Sequence, residues 1–123
     1  MKHIAIRENH LYSKAYTKGS KYVARGVIVY VLKDLRAKKL MLENPQKKFV
    51  NRLGLTVSKK IGKAVIRTRV KRILREGLRQ IEQEYDVKKG NLVVLVARPQ
   101  ATEMKSTEIA HDIKKAFFAL GLI

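Results

Sequence analysis

Hydrophobic residues recur with a helical period between residues 64 and 84. The apolar positions are three or four residues apart, at Ile66, Val70, Ile73, Leu74, Leu78 and Ile81. At about 100° per residue they fall on one arc of a helix, and Arg67 lies at the margin of that arc. The opposite arc is mostly basic, with Arg69, Lys71, Arg72, Arg75 and Arg79. The pattern predicts a helix with one side for a core and a cationic side for an anionic partner.

A period of two residues marks two predicted strands. Residues 21–32 are rich in β-branched and aromatic side chains, which favour strands. Alternation places Ile28 and Tyr30 on one face and predicts a core face with Val27, Val29 and Val31. Residues 48–58 also alternate. Their apolar face has Phe49, Leu53, Leu55 and Val57, and their small or polar face has Arg52, Gly54, Thr56 and Ser58.

A further strand is predicted without alternation. Residues 92–97 form the continuous apolar run LVVLVA, which indicates a strand buried on both faces. The order of strand 49–58, helix 64–84 and strand 92–97 predicts a parallel pair within a mixed sheet.

Two shorter helices are predicted near the ends of the chain. Asn9 is a candidate cap for a helix from His10 to Lys18, which Gly19 would end. Residues 106–120 predict an amphipathic helix capped by Ser106 or Thr107. Its apolar stripe comprises Ile109, Ile113, Ala116, Phe117 and Leu120.

The remaining segments are predicted to be connections. Residues 1–8 would be a short lead-in, and residues 33–47 a basic, flexible or partly ordered excursion with one short helical turn. Together the elements predict a single α+β domain over residues 1–123, a sandwich of about three helices on a mixed sheet of about four strands. The predicted order is α-β-β-(β)-α-β-α.

Tyr12 and Tyr16 lie four residues apart on the first predicted helix, next to the face that carries Leu11 and Ala15. The residues alone leave two interpretations open. The two rings can be half-buried packing residues, or they can line a cleft in which nucleobases stack.

The overall charge narrows the class of partner. The 123 residues include 28 Lys or Arg and 10 Asp or Glu, for a formal charge of +18. Such a charge on a small domain indicates a polyanion, whether RNA, DNA or an anionic membrane surface. The chain shows no apolar run of membrane-spanning length, no signal peptide and no Cys. We therefore expect a cytoplasmic protein.

The side chains that could cut a phosphodiester are not grouped along the chain. The three Asp, seven Glu and three His are scattered, and no Gly-rich phosphate loop is present. Two-metal nucleases need clustered carboxylates, which the sequence lacks. We predict no catalytic residue, no metal ligand and no cofactor for the protein alone.

The segment 58–79, SKKIGKAVIRTRVKRILREGLR, resembles the signature of the bacterial ribonuclease P protein subunit. That family shows Ser-Lys-Lys-hydrophobic-Gly, then Ala-Val, then Arg-Asn-Arg-x-Lys-Arg and a later Arg-Glu. Thr68 stands where the family usually has Asn. The resemblance is dense here, moderate over residues 10–32 and only architectural after residue 90.

The resemblance implies the protein component of an endoribonuclease that removes the 5′ leader of precursor tRNA. In that family the catalyst is an RNA that binds Mg²⁺, and the partners are this catalytic RNA and precursor tRNA, with no DNA and no membrane. The implied RNA-binding residues are Lys59, Lys60, Lys63, Arg67, Thr68, Arg69, Lys71, Arg72 and Arg75. The implied leader-binding cleft comprises Tyr12, Tyr16, Ile28 and Tyr30. The family also implies a left-handed crossover between the parallel strands.

Other functions remain as alternatives. A plain basic RNA-binding protein of ribosomal or chaperone type would bind RNA without an effect on cleavage. A DNA-binding protein could present the basic helix to the major groove. A membrane-surface role is least favoured, because the core needs the apolar side of the basic helix.

Overall fold

The computed structural model describes residues 3–123, which form a mixed sheet with helices on both faces. The strands are β1 (His3–Ala5), β2 (Ser20–Val23), β3 (Val27–Lys33), β4 (Asn51–Thr56) and β5 (Asn91–Ala97). The helices are α1 (Asn9–Lys18), α2 (Ala37–Glu43), α3 (Ala64–Glu84) and α4 (Ser106–Ala119). Short 3₁₀ turns at Lys59–Ile61 and Pro99–Glu103 precede α3 and α4. The predicted α+β class is confirmed, with one more strand and one more helix than expected.

The sheet has the order β1-β4-β5-β3-β2. Strands β4 and β5 are parallel and are joined through α3, as the sequence predicts. Strand β3 pairs with β5 in antiparallel fashion. Strand β5 lies at the centre of the sheet with helices packed on both of its faces, and the run from Leu92 to Leu95 is buried. This confirms the interpretation of its continuous apolar sequence.

The main core lies between the sheet and the helices α3 and α4. Val27 and Val29 of β3 are fully buried there, together with Leu74 of α3 and Ile113 of α4. The apolar arc predicted for α3 is confirmed from Val70 to Ile81.

The prediction of this arc is wrong at the N-terminal end of α3. Ile66 is 39% exposed and Val65 is 81% exposed. The physical reason is that α3 contributes buried residues only from Val70 onward, so its first turns extend past the core. Phe49, predicted on the apolar face of β4, is also exposed, because the strand begins only at Asn51.

The second face of the sheet is covered by α1. Ala15 is fully buried against Leu92 and Val94 of β5, with Leu11 and Tyr30 partly buried around them. Since α1 has only ten residues, it covers one part of this face.

Arg52 was predicted on a small or polar face of β4, but the structure buries it. Its Nε and Nη2 atoms donate to Asp34 at 2.6 Å and 2.8 Å, and its Nη1 atom donates to Glu8 at 3.0 Å. Burial acts to raise the pKa of Asp34, but the hydrogen bonds and charge of Arg52 outweigh it, so this pKa lies below its ordinary value. Glu8 is the N-cap residue of α1, so the network ties that helix to the sheet.

The clearest correction concerns the N-terminal segment, which was predicted to be a short lead-in. Residues His3 to Ala5 form β1, which pairs in parallel with β4. The His3 Nδ1 atom lies 2.9 Å from the Glu82 carboxylate on α3, which holds this edge strand against the main layer. A three-residue strand carries too short a pattern to be recognised from the sequence.

Three smaller predictions also need correction. The single strand predicted over residues 21–32 is two strands, β2 and β3, joined by a turn over residues 24–26. The N-cap of α1 is Glu8 rather than Asn9, and no side-chain hydrogen bond caps it. The N-cap of α4 is Lys105, whose backbone N–H donates to Glu108.

Candidate nucleic-acid interface

The predicted cleft residues lie on the face of the sheet that α1 covers. The rings of Tyr16 and Tyr30 meet edge to face, with centroids 5.0 Å apart and planes at 66°. The Tyr16 hydroxyl lies 2.7 Å from the Thr56 hydroxyl on β4. Ile28 points to the same face two residues before Tyr30, and both side chains are half-buried. The structure therefore brings Tyr16 and Tyr30 into contact and places Ile28 beside them.

Tyr12 lies at the other side of this group, directly over the backbone of Gly54. A Cβ atom at position 54 would be 2.5 Å from the Tyr12 ring. Burial and the neighbouring Tyr16 raise the pKa of Tyr12, and a hydrogen bond with the Leu55 backbone opposes this shift. Gly54 thus allows the ring to approach the backbone of β4 closely.

Beyond α1 the sheet presents a row of side chains that sequence reasoning did not identify. The strand registers place Val23 beside Ile28, Ile28 beside Val96, and Val96 beside Thr56. The row crosses four strands on one face, and Val23 at its end is 50% exposed. Only Ile28 was predicted to belong here, because the pairing of strands distant in sequence cannot be read from alternation within each strand.

The residues predicted to bind RNA are spread from the first 3₁₀ turn to the fourth turn of α3. Arg67 and Lys71 are half-buried. The other members are exposed: Lys59, Lys60, Lys63, Thr68, Arg69, Arg72 and Arg75. Seven of the nine side chains are therefore open to solvent.

Two arginines of this group are held by the fold. The Arg69 Nη1 atom donates to the Thr102 carbonyl oxygen at 2.8 Å, which fixes the guanidinium near the second 3₁₀ turn. The Arg67 Nε atom is enclosed and has no hydrogen-bond partner within residues 3–123. A buried donor of this kind is costly unless a ligand or water satisfies it.

The basic helix and the tyrosines meet at the edge of β4. An open pocket there is lined by Lys71 and Arg75 of α3, by Tyr12 of α1 and by Leu55 of β4. His3, Ala5, Ile6 and Leu53 complete its wall, so no acidic side chain of the described chain lines it. Strand β1 pairs with β4 only as far as Leu53, which leaves this part of the edge open.

Within residues 3–123, no group of three or more His, Cys, Asp or Glu side chains is placed to hold a metal ion. In the same part of the chain, no helix has the length and apolar content needed to cross a membrane.

Comparison with known proteins places this chain in a family. A family model described as Ribonuclease P matches residues 1–121. The chain belongs to the ribonuclease P protein family. A ribonuclease P protein component from Clostridium acetobutylicum is 34% identical over 123 residues, which cover all of this chain and 93% of that protein. One from Listeria innocua is 32% identical over 111 residues, or 90% of this chain and 79% of the relative.

Solved structures of ribonuclease P proteins share the fold. The protein from Staphylococcus aureus superposes with a TM-score of 0.72 at 23% identity, covering 99% of this chain and 97% of that chain. The protein from Thermotoga maritima gives a TM-score of 0.70 at 20% identity, covering 97% and 96%. At these identities the likeness shows the architecture alone.

Proposed function

We propose that the chain assists a catalytic RNA in the endonucleolytic removal of the 5′ leader from precursor tRNA. Membership of the ribonuclease P protein family supports a role in that ribonucleoprotein. The pocket at the edge of β4 carries the finer assignment, because Tyr12 on one wall and Lys71 and Arg75 on the other provide an aromatic ring and two cations for the same strand of RNA.

The cation side of this pocket acts on phosphates. Lys71, Arg72 and Arg75 supply charge along one side of α3, which offsets the repulsion between two RNA molecules that must come together. Arginine adds forked donors that can engage two phosphate oxygens at once. The hydrogen bond from Arg69 to Thr102 leaves other N–H groups of that guanidinium to face RNA.

The cleft acts on an unpaired strand. Tyr16 and Tyr30 present ring faces and edges, and Ile28 with its neighbours in the row gives an apolar floor on which bases can lie. Single-stranded RNA binds such surfaces because its bases are free to stack on aromatic rings. A duplex would keep its bases inside and could not use this floor.

We assign the bond-breaking step, and the Mg²⁺ ions that assist it, to the RNA partner. The donor set of the described chain supports this assignment, because no three of its His, Asp or Glu side chains are grouped to hold a metal ion. Three of its carboxylates are also paired within the fold: Asp34 with Arg52, Glu82 with His3, and Glu76 with Arg79. In this proposal the protein binds and orients the RNA substrate and screens its charge, and the RNA partner breaks the bond.

The test is a cleavage assay on precursor tRNA at low, near-physiological Mg²⁺. It compares the protein alone, a bacterial ribonuclease P RNA alone, and the two together. Efficient cutting at the mature 5′ end by the mixture only is the expected result. If the protein bound RNA but never increased cleavage, a plain RNA-binding function would replace the proposal.

The aromatic cleft is tested in the same assay with two substrates, one with a leader of several nucleotides and one with a single leader nucleotide. Tyr16→Ala is expected to weaken binding of the long-leader substrate by about tenfold, as loss of one stacked base implies. The short-leader substrate serves as the control, and its binding affinity is expected to change little. Equal losses on both substrates would argue against leader contact.

A further inference from the structure

One stripe of α4 faces solvent on the side of the sheet opposite the cleft. Its residues are spaced i, i+3, i+4 and i+7, namely His111, Lys114, Lys115 and Phe118. All four are exposed, and Phe118 is 74% exposed. The core stripe of the same helix is complete without it, because Ile113 and Phe117 are buried. We call these four residues the α4 stripe.

An open hollow lies beside the α4 stripe. Tyr85, the C-cap residue of α3, and Ile123 complete the wall that the four stripe residues form. The Lys114 ammonium lies 5.5 Å from the centroid of the Tyr85 ring. The interaction with Tyr85 raises the pKa of Lys114, so that side chain stays charged. Two aromatic rings and two lysine ammoniums therefore border one space.

We propose that the α4 stripe is a second binding site for single-stranded RNA, in which Phe118 stacks on a nucleobase and Lys114 and Lys115 contact neighbouring phosphates. Exposed aromatic rings flanked by cations are the combination that binds unpaired strands with little regard to sequence. The site goes beyond the proposed function, because α1 and the cleft occupy the other face of the sheet.

Charge favours RNA over a second copy of this chain. In a two-fold symmetric contact through Phe118, the same patch of both subunits would meet, and lysines would face lysines. Two acidic residues of α4 border a neighbouring hollow with His111 and Lys115, but both have partners of their own there. Glu108 lies 3.9 Å from Arg25, and the buried Asp112 accepts a hydrogen bond from the Gly26 backbone. Glu84 of α3 offsets part of the positive charge of Lys114. The positive charge of Lys115 would still repel a second copy. With a formal charge of +18, self-association would also add repulsion over the whole molecule.

The experiment is an NMR titration of the isotope-labelled full chain with an oligouridylate of about ten nucleotides, a length that matches single-strand sites. Two separate groups of signals are expected to shift, one from the cleft and one from residues 111–118. The ring protons of Phe118 are expected to move upfield as a base stacks on them. Phe118→Ala is expected to weaken binding at the α4 stripe by about tenfold and to leave the cleft signals responsive.

Matched variants separate stacking from charge and from general effects on folding. Leu35→Ala removes another strongly exposed apolar side chain (77%) and is expected to leave the α4 signals unchanged. Lys114→Gln with Lys115→Gln is compared with Lys38→Gln and Lys39→Gln, another adjacent and exposed pair on α2. Only the first pair is expected to reduce binding at the α4 stripe.

Three outcomes would overturn the proposal. The RNA could shift signals of the cleft alone. Inorganic polyphosphate could produce the same shift of the Phe118 ring as RNA, which would mean that charge acts without stacking. The α4 signals could change with protein concentration rather than with RNA, which would identify a second copy as the occupant. Each outcome leaves the cleavage assay on precursor tRNA unaffected, so the two proposals fail independently.

Discussion

Arg52 donates two hydrogen bonds to Asp34, at 2.6 Å and 2.8 Å, and a third to Glu8 at the start of the helix that carries Tyr12 and Tyr16. The network of three hydrogen bonds therefore ties the start of that helix to the sheet. The side chains of Arg52 and Asp34 are 5% and 1% exposed, so water cannot replace the pairing.

Replacing Arg52 should strongly destabilise the fold. Arg52→Met leaves the Asp34 carboxylate buried without its partner, which is expected to lower the free energy of unfolding by about 3–5 kcal/mol. Urea unfolding measures the change. Arg79→Met is the control, because it breaks the solvent-exposed pair with Glu76 and should leave the free energy of unfolding nearly unchanged. Similar effects of the two variants would contradict the structural role of Arg52.

The same pair predicts a pH dependence of stability. The pKa of Asp34 is lower in the folded state, so its contribution is present above the ordinary value near 4 and is lost as pH falls through the lower folded value. The difference in unfolding free energy between the wild type and Asp34→Asn should therefore shrink below about pH 4. A difference that stays constant down to pH 2 would show that the carboxylate charge is not involved.

Gly54 should be essential to the position of Tyr12. In Gly54→Ala the new methyl group would lie 2.5 Å from the ring, so the ring must move. We expect a loss of about 1–3 kcal/mol in unfolding free energy, as for other overpacked sites. The double variant Gly54→Ala with Tyr12→Ala should lose less unfolding free energy than the two single variants lose together, because the clash then disappears. Additive losses would argue against the contact.

Lys71 and Arg75 should contribute to RNA binding through phosphates. Each replacement by Gln is expected to reduce the slope of log affinity against log salt by about 0.7 for a single strand. Fluorescence anisotropy with a leader oligonucleotide over a range of salt concentrations measures the slope. Lys38→Gln, on α2, is the matched control and should leave the slope unchanged. An unaltered slope in Lys71→Gln would remove this residue from the interface.

Thr68 offers a direct test of its own contribution. It is exposed on α3 between Arg67 and Arg69, where the family usually has Asn. An amide side chain adds a donor pair and an acceptor, so Thr68→Asn is expected to raise affinity for precursor tRNA several-fold. Ser106→Asn is a control, since it adds the same group at the start of α4. No change in affinity would argue that side chain 68 makes no direct contact.

The long helix and the central strand could be predicted from the sequence because each has a pattern that repeats over its own length. Helix α3 has the predicted bounds, and β5 has the predicted burial on both faces from Leu92 to Leu95. The basic residues of α3 follow from that helix, and the motif of residues 58–79 pointed to the family that the comparisons confirm.

Features that depend on pairing across the chain could not be predicted in the same way. No local pattern indicates that Arg52 is buried, because its partners Asp34 and Glu8 are distant from it in the sequence. The row from Val23 to Thr56 exists only through the registers of four strands. Likewise β1 is a strand because it pairs with β4, which lies far along the chain. Local patterns contain no information about which distant segments become neighbours.

The central position of β5 has a consequence for synthesis on the ribosome. This strand is the last of the five in the chain, yet both β4 and β3 hydrogen-bond to it. The sheet therefore cannot assemble until residue 97 has emerged, and contacts between residues so far apart form slowly. During that interval the apolar side of the basic helix has no sheet to cover it. A nascent chain of this protein should depend on chaperones, or on early contact with RNA, until β5 leaves the exit tunnel.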